Sequence, residues 1–385
     1  MTTISHHVKA GFLLLRISLF CISFSTPLFC AGMARFRFIN AYGERLGPSE
    51  YYYASDFSCG FGIAQSTNGE WVVVDSAGNE KGTGIFSSFR GFQTEPYFSE
   101  GVAMLYGEDA DNPDLAKTFA IGTDASILFT LDSKPFGPFC HGVALVLDGM
   151  KVIPIDFAGQ VLHTNQYDWA MLFRDSTMGH GLRYGMKRGT EETFLFDGLG
   201  HETKFGQGWQ IGAFAGSFYA EYGESKGAYE DRRIRIHSAD GRVLFKRDSA
   251  FRVNWDSRGE GLFGFIHFEA DRRHVFFVDL AGREVLAGTD TNKLSAICAE
   301  GMIRFCDKVS GLHGYVDRTG ARRIVAQFLE AGNFSEGLAW VVDKNGELGY
   351  IDTRGKKRIA TGCKVRLPWN DGRDFHEGIA VSPAQ

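Results

Sequence analysis

The stretch FSEGLAWVVDKNGELGYIDTRGKKRI, from Phe334 to Ile359, decides the fold. Leu338 to Val342 (LAWVV) has the composition of a β-strand, and Leu348 to Ile351 (LGYI) is predicted to return antiparallel to it. Asn345-Gly346 between them is a strong hairpin signal because both residues tolerate positive φ. A second tight turn, Asp352 to Gly355, leads into a further strand. The stretch therefore predicts three to four antiparallel strands.

Two motifs of this stretch recur along the chain with a mean spacing of about 40 residues. Clear Asp-x-x-Gly turns begin at Asp75, Asp156, Asp197, Asp279, Asp317 and Asp352, with degenerate copies from Asn40, Gly122 and Ser238. The motif x-Glu-Gly, followed by an apolar alternation, contains Glu100, Glu260, Glu300, Glu336 and Glu377, with weaker copies at Cys59, His141, His180 and Gly216. Two interleaved motifs with one period predict about nine tandem units.

The repeats begin and end in mid-unit. Phe36 to Gly43 (FRFINAYG) is the second half of a unit, and Phe375 to Val381 (FHEGIAV) is the first half of another. A β-propeller closes its ring with strands from both termini, and about 40 residues suit a four-stranded blade. We therefore expect an all-β fold of tandem β-hairpin repeats and favour a propeller-like ring. The alternative is an open β-solenoid or superhelix in which the half-units are caps.

The first 32 residues differ from the repeats. Ile17 to Phe29 is an apolar run of signal-peptide length, and Cys30-Ala31-Gly32 provides small residues for cleavage. We expect a signal peptide over 1–32, a repeat domain over 33–385, and export to the periplasm, the outer envelope or the medium. Lipoprotein processing at Cys30 is the less favoured alternative, because Phe29 is a poor residue before a lipidated cysteine. No transmembrane segment is expected in the mature chain.

Composition and charge exclude other classes. The chain has 48 Gly, 34 Phe and only 9 Pro, which suits short aromatic-rich strands joined by glycine turns. The formal net charge is -5, and Lys and Arg are spread along the chain, so nucleic-acid binding has no electrostatic support.

The cysteines beyond the leader are five, namely Cys59, Cys140, Cys298, Cys306 and Cys363. An odd number without a C-x-x-C pair predicts neither a zinc site nor a complete disulfide framework. Cys298 with Cys306 is the best disulfide candidate by proximity in the sequence. Free thiols, buried like small apolar residues, are the alternative.

The unit from Phe334 to Ile359 resembles the WG repeat family, and 301–324 and 142–162 resemble it more distantly. The resemblance extends over roughly 34–385 but is weak between Asp168 and Trp255. The aromatic-Gly pair of the family remains only as Leu348-Gly349 and His313-Gly314. The resemblance implies a β-rich fold and, for most members, no assigned activity.

The repeated carboxylates are predicted to be structural. The turn Asp residues could be calcium ligands, but one Asp per unit, a whole repeat from the next, favours turn stabilisation. The Glu residues of x-Glu-Gly are expected to bond backbone groups. His141 and His180 replace that Glu in neighbouring units, but two ligands are insufficient for a metal site.

No local motif of a catalytic site is present, so no catalytic, cofactor-binding or metal residue is expected. Trp209 and Trp369, in Gly- and Pro-containing loops, are the candidate ligand-binding residues, as stacking platforms for a sugar or a partner's side chain.

The leading functional hypothesis is an exported, non-catalytic binding or scaffold protein that presents its β-repeat surface to a protein partner. A cell-envelope glycan-binding protein is the first alternative. The second is a propeller-type hydrolase or lyase whose site is scattered over several units, and the irregular region 168–258 is where such a site would be sought.

Overall fold

The computed structural model describes residues 35–86, 96–108, 116–149, 151–162, 260–269, 272–279, 292–365 and 374–384, together with shorter stretches between 169 and 288. Residues 34–385 form one compact unit. The described residues contain β-strands and no helix, which confirms the all-β prediction. The predicted signal peptide, 1–32, lies outside the described residues. Nowhere in the described part does a helix have the length and hydrophobicity needed to cross a membrane.

The strands, in chain order, are β1 (Phe36–Asn40), β2 (Arg45–Ala54), β3 (Phe61–Ser66), β4 (Glu70–Asp75), β5 (Glu80–Phe86), β6 (Val102–Glu108), β7 (Ala116–Gly122), β8 (Ile127–Leu131), β9 (Lys134–Cys140), β10 (Val143–Asp148), β11 (Lys151–Ile155), β12 (Trp169–Met171), β13 (Arg183–Lys187), β14 (Glu192–Phe196), β15 (Glu202–Gln207) and β16 (Gln210–Ala215). They continue with β17 (Phe218–Tyr222), β18 (Ile234–Ser238), β19 (Val243–Arg247), β20 (Arg252–Asn254), β21 (Leu262–Glu269), β22 (Arg272–Asp279), β23 (Glu284–Ala287), β24 (Asn292–Ala299), β25 (Met302–Asp307), β26 (His313–Asp317), β27 (Arg322–Phe328), β28 (Glu330–Ala331), β29 (Leu338–Val342), β30 (Glu347–Asp352), β31 (Lys357–Lys364) and β32 (Ile379–Pro383).

These strands form small antiparallel sheets of three, four or six strands. Four consecutive strands make each of the sheets β12–β15, β16–β19, β20–β23, β24–β27 and β28–β31, while β6–β8 and β9–β11 have three described strands each. The six-stranded sheet has the order β32-β1-β2-β3-β4-β5, and its long strand β2 pairs with β1 through its first half and with β3 through its second. Each three- or four-stranded sheet therefore corresponds to one sequence unit, and the six-stranded sheet contains two.

The sheet β28–β31 shows why the sequence folds in this way. All five residues of β29 are buried, because neighbouring sheets cover both of its faces. In β31, buried and exposed residues alternate over most of its length, which is the pattern of a strand with one buried face. The predicted hairpin at Asn345-Gly346 is present, and only the glycine adopts positive φ, +78°. It thereby closes a four-residue turn whose Gly346 N–H donates to Asp343 O.

Adjacent sheets pack face to face through aromatic residues. Phe334, which begins one x-Glu-Gly motif, packs edge-on against Tyr315 of the preceding sheet, with ring centroids 4.8 Å apart. Phe375 has the same relation to Tyr350 at 4.9 Å. Both pairs belong to clusters that join neighbouring sheets, so the hydrophobic core lies between sheets.

The two ends of the described chain meet in one sheet. β1 pairs antiparallel with β32 in continuous register, from Phe36 opposite Pro383 to Asn40 opposite Ile379. This pairing confirms the prediction that the two half-units complete one unit. The combined sheet is covered on both faces, since Ile39 packs in the cluster of Trp340 and Phe38 packs in the cluster of Tyr51.

Candidate functional site

The x-Glu-Gly motifs at Glu100, Glu300, Glu336 and Glu377 form two-residue hairpin turns. Glu336 and Gly337 both have positive φ, +54° and +79°, and Ser335 and Leu338 on either side exchange two backbone hydrogen bonds. Positive φ at both central residues is the requirement of a type I′ turn. Because strands alternate in direction, this turn and the Asp-x-x-Gly turn lie at the same end of each sheet.

The glutamate of each described turn reaches the turn of the next unit. Glu100 accepts hydrogen bonds from His141 N–H at 2.6 Å and Gly142 N–H at 2.8 Å, and Glu336 accepts one from Gly378 N–H at 2.7 Å. Glu260 and Glu300 bond the amides of later turns in the same way. The prediction that these residues bond backbone groups is confirmed. We call each such contact a glutamate clamp.

One clamp joins the last unit to the first. Glu377 accepts hydrogen bonds from Cys59 N–H at 2.9 Å and Gly60 N–H at 2.6 Å, across more than 300 residues of sequence. It lies beside the β1–β32 pairing. Cys59 and His141 occupy glutamate positions without a carboxylate, so they cannot clamp the following turn. His180 lies outside the described residues.

The turn aspartates hold their own turns. Asp317 Oδ1 accepts the N–H groups of Thr319 and Ala321 at 2.8 and 3.0 Å, and its Oδ2 pairs with Arg323 at 2.7 Å. Hydrogen bonds from Thr319, together with Arg323, lower the pKa of Asp317 to about 2. The same pattern of bonds to the second and fourth following residues recurs at Asp75, Asp156, Asp279 and Asp352. Turn stabilisation is therefore confirmed for these residues, and Asp197 is not among those described.

Cys298 occupies the motif position that Phe334 occupies in the next unit. It is fully buried, and its thiol donates to Glu260 Oε2 at 3.3 Å, while Arg318 donates to the same oxygen at 2.7 Å. Burial, assisted by the Glu260 charge, raises the pKa of Cys298 to about 12. The pKa of Glu260 is lowered: burial by itself raises it, but the hydrogen bonds from Arg318 and Gly301 outweigh burial. The thiol is thus protonated and inert at neutral pH.

The disulfide candidate is wrong. All five cysteines of the described chain are free. Cys298 pairs with Ile303 at one end of the β24–β25 hairpin, whereas Cys306 pairs with Lys293 at the other. Cys306 lies three residues along its strand from Ile303, the residue opposite Cys298. The two cysteines are therefore about 10 Å apart, beyond the reach of a disulfide.

A polar group, which we call the polar layer, lies beside the apolar cluster of Tyr315 and Phe334 between β24–β27 and β28–β31. Arg304, Cys306 and His313 occupy the positions of the buried Trp340, Val342 and Leu348 one unit later. Arg304 donates to Ala331 O, and His313 Nε2 lies 3.6 Å from Glu330 Oε2. His313 Nδ1 is buried without a hydrogen-bond partner.

In this polar layer, the pKa values of His313, Glu330 and Cys306 are shifted in the directions that favour their uncharged forms. Burial, helped by the Arg304 charge, lowers the pKa of His313 to about 4. Burial raises the pKa of Glu330 and that of the Cys306 thiol. The layer therefore has no activated nucleophile at neutral pH. In the described part of the chain, no three His, Cys, Asp or Glu side chains converge to hold a metal ion.

The two predicted ligand-binding tryptophans, Trp209 and Trp369, lie outside the described residues. Trp71 and Trp340 are buried core residues. The structure shows instead an apolar patch that the sequence analysis missed. It consists of Ile127 and Leu128 of β8 with Phe157 and Val161 of the next unit, each 44–57% exposed.

The next unit packs on β8 through Phe129. A Cβ at Gly159 would lie 2.7 Å from the ring of Phe129, so the turn that contains Phe157 packs directly on β8. Phe157 also stacks on Phe139, with centroids 4.6 Å apart. The sequence signal was the charge-free run ILFTL at an edge position.

Comparison with protein families supports the repeat assignment for one unit. Residues 314–347 match the WG containing repeat family. This match covers β26 to the start of β30 and confirms the resemblance there. No curated protein matches the sequence.

Three solved structures are similar to this chain at low sequence identity. A eukaryotic initiation factor is 10% identical with a TM-score of 0.49, over 85% of this chain and 95% of that one. The computationally designed Ika8 protein is 11% identical, TM-score 0.40, over 75% and 95%. BamB from Moraxella catarrhalis is 10% identical, TM-score 0.39, over 72% and 89%.

Proposed function

We propose that this is an exported, non-catalytic scaffold protein that binds a protein partner through the edge strands of a closed β-repeat ring. The observation that carries the proposal is the distribution of exposed apolar side chains. Six of the ten large ones among the described residues lie in the last strand of a sheet, namely Phe86, Ile127, Leu128, Val243, Val285 and Val325. Exposed apolar surface in patches is typical of protein interaction sites.

The polar signature of the repeat supports a structural role for its turns. The glutamates hydrogen-bond the next unit, and the aspartates hydrogen-bond their own turns. These carboxylates therefore stabilise a rigid frame and are not poised for chemistry. A rigid frame of stacked units offers an extended surface at small entropic cost to a partner.

Ring closure is the arrangement that we favour over an open superhelix. The β1–β32 pairing and the Glu377 clamp both join the last unit to the first. An open superhelix would instead place its two ends far apart. Closure also protects strands that would otherwise be open sheet edges at the chain ends.

The test begins with cross-linking of the tagged chain in its native cells, followed by purification of each cross-linked protein. We expect one of them to form a complex of fixed stoichiometry with the purified chain in gel filtration. The proposal is wrong if every purified candidate elutes separately, or if the chain is found in the cytoplasm with residues 1–32 attached.

A further inference from the structure

Among the described residues, strand β8 is a sheet edge with a single partner strand. It is the last strand of the sheet β6–β8 and pairs with β7 on one side. An edge strand presents unpaired N–H and C=O groups that can accept another strand, and natural proteins usually protect such edges with charged side chains.

β8 lacks this protection. The strands that end the described sheets on their C-terminal side are β5, β8, β15, β19, β23, β27 and β31, whereas the outer side of β11 is bridged by Val161. Six of these seven strands contain at least one charged residue, such as Lys357 and Lys364 in β31. The sequence of β8, ILFTL, contains none, and Ile127, Leu128 and Thr130 are exposed.

Apolar surface extends beyond the strand itself. Phe157 of the following unit is 44% exposed, and its turn packs against Phe129 of β8. A segment paired with β8 would therefore find apolar contacts for its side chains on the adjacent unit as well as a row of backbone groups.

Acidic residues stand at both ends of β8. Asp124 precedes it and Asp132 follows it, and both are exposed. Hydrogen bonds from Ser126 lower the pKa of Asp124, so this carboxylate is ionised at neutral pH. Lys134 lies beyond Asp132 with its ammonium 5.4 Å from the ring centre of Tyr106. The two carboxylates favour basic residues at the ends of an added strand.

We propose that β8 binds an extended segment of a partner protein by β-strand addition, and that this segment is apolar in its centre and flanked by lysine or arginine. This inference rests on the proposed function and names its site and partner class. In such binding, main-chain hydrogen bonds provide affinity, and contacts of alternate side chains provide specificity.

The probe is a synthetic peptide of alternating valine and threonine between terminal lysine pairs, titrated against the full mature chain. We expect saturable binding that weakens with salt, because the charged ends are solvent-exposed. Leu128→Lys and Leu128→Glu should each weaken it by about tenfold, since a charge of either sign disrupts the apolar contact. Val325→Lys, on the exposed edge of β27, is the matched control and should leave binding unchanged. A peptide with glutamates in place of the lysines should bind more weakly.

Three outcomes would overturn the inference. If the wild-type chain fails to bind the peptide, or binds it equally after Leu128→Lys and Leu128→Glu, β8 is not the docking site. If the chain alone self-associates in sedimentation experiments and Leu128→Lys abolishes this, the occupant is a second copy. The proposed function is judged separately, because a partner isolated by cross-linking that still binds the Leu128 variants would retain the scaffold role while excluding β8.

Discussion

The carboxylate of Glu377 holds the backbone amide of Gly60 at 2.6 Å, although 317 residues separate them in the sequence. Glu336 makes the same kind of clamp to Gly378 between two consecutive units. Glu377 makes it between the last unit and the first. The same local motif therefore serves both to stack neighbours and to join the two ends of the repeat domain.

Loss of the Glu377 clamp is expected to loosen the terminal strands selectively. Glu377→Ala should lower the free energy of unfolding by about 1 kcal/mol, the usual effect of losing a side-chain cap on backbone amides. It should also speed hydrogen exchange in β1 and β32. Glu300→Ala, which removes the clamp on Gly337, is the matched variant, expected to cost a similar amount without faster exchange in β1 and β32. Equal exchange patterns in the two variants would contradict the special role of Glu377.

Cys59→Glu is expected to add a missing clamp. A glutamate there occupies the position that Glu100 and Glu336 hold in other units, from which it can reach the Glu100-Gly101 turn. We predict a gain of about 0.5–1 kcal/mol over Cys59→Ala, measured by urea unfolding. Equal stability of the two variants would show that the clamp geometry does not extend to this unit.

Asp317 is expected to make the fold acid-sensitive. Its folded pKa, about 2, is below the unfolded value, so its stabilising contribution is present above about pH 4 and is lost as pH falls toward 2. Asp317→Asn should flatten the decrease of melting temperature between pH 4 and 2, since the amide keeps an Oδ1 acceptor. Asp317→Ala should destabilise the protein at pH 7 as well. An unchanged acid profile in both variants would argue against this contribution.

His313 is expected to make the stability of the protein depend on pH in a higher range than Asp317 does. Because its folded pKa, about 4, is below the unfolded value near 6.5, the unfolded chain binds more protons between these values, and stability falls as pH falls from about 6.5 to 4. Glu330, with a raised pKa, contributes with the opposite sign. His313→Leu introduces the residue type found at the equivalent position 348 of the next unit. It should remove the loss of stability that His313 causes as the pH falls from about 6.5 to 4. It should also raise stability at pH 7 by about 1 kcal/mol, because a buried nitrogen without a partner is removed.

The five thiols should differ sharply in reactivity. Ellman's reagent should label the exposed Cys59 in the folded chain, whereas Cys298 should react only on unfolding, because it is fully buried and its pKa is about 12. Denaturation without reductant should make all five thiols of residues 34–385 reactive. A count of three free thiols would show that one disulfide is present and would support the Cys298–Cys306 pair.

The repeat was predictable from the sequence because it depends on local chemistry. Positive φ at Gly346, the Asp317 turn and the burial of Trp340 all follow from short patterns with one period. The half-units at Phe36 and Phe375 even predicted the pairing of the chain ends.

The partners of these residues were not predictable, because they belong to other units. The sequence placed Glu336 near backbone but could not indicate Gly378 as its partner, since this depends on how sheets stack. Cys298 and Cys306 are close in sequence, yet the hairpin register separates them. The exposure of Leu128 depends on which strand ends the sheet, and strand order is a property of the whole fold.

Small-angle X-ray scattering of residues 34–385 tests ring closure most directly. A closed, compact domain of this length should give a radius of gyration of about 20 Å and a bounded distance distribution. Glu377→Ala should retain that profile under native conditions, since β1–β32 pairing remains. A clearly larger radius with an elongated distance distribution would contradict closure and favour the open superhelix.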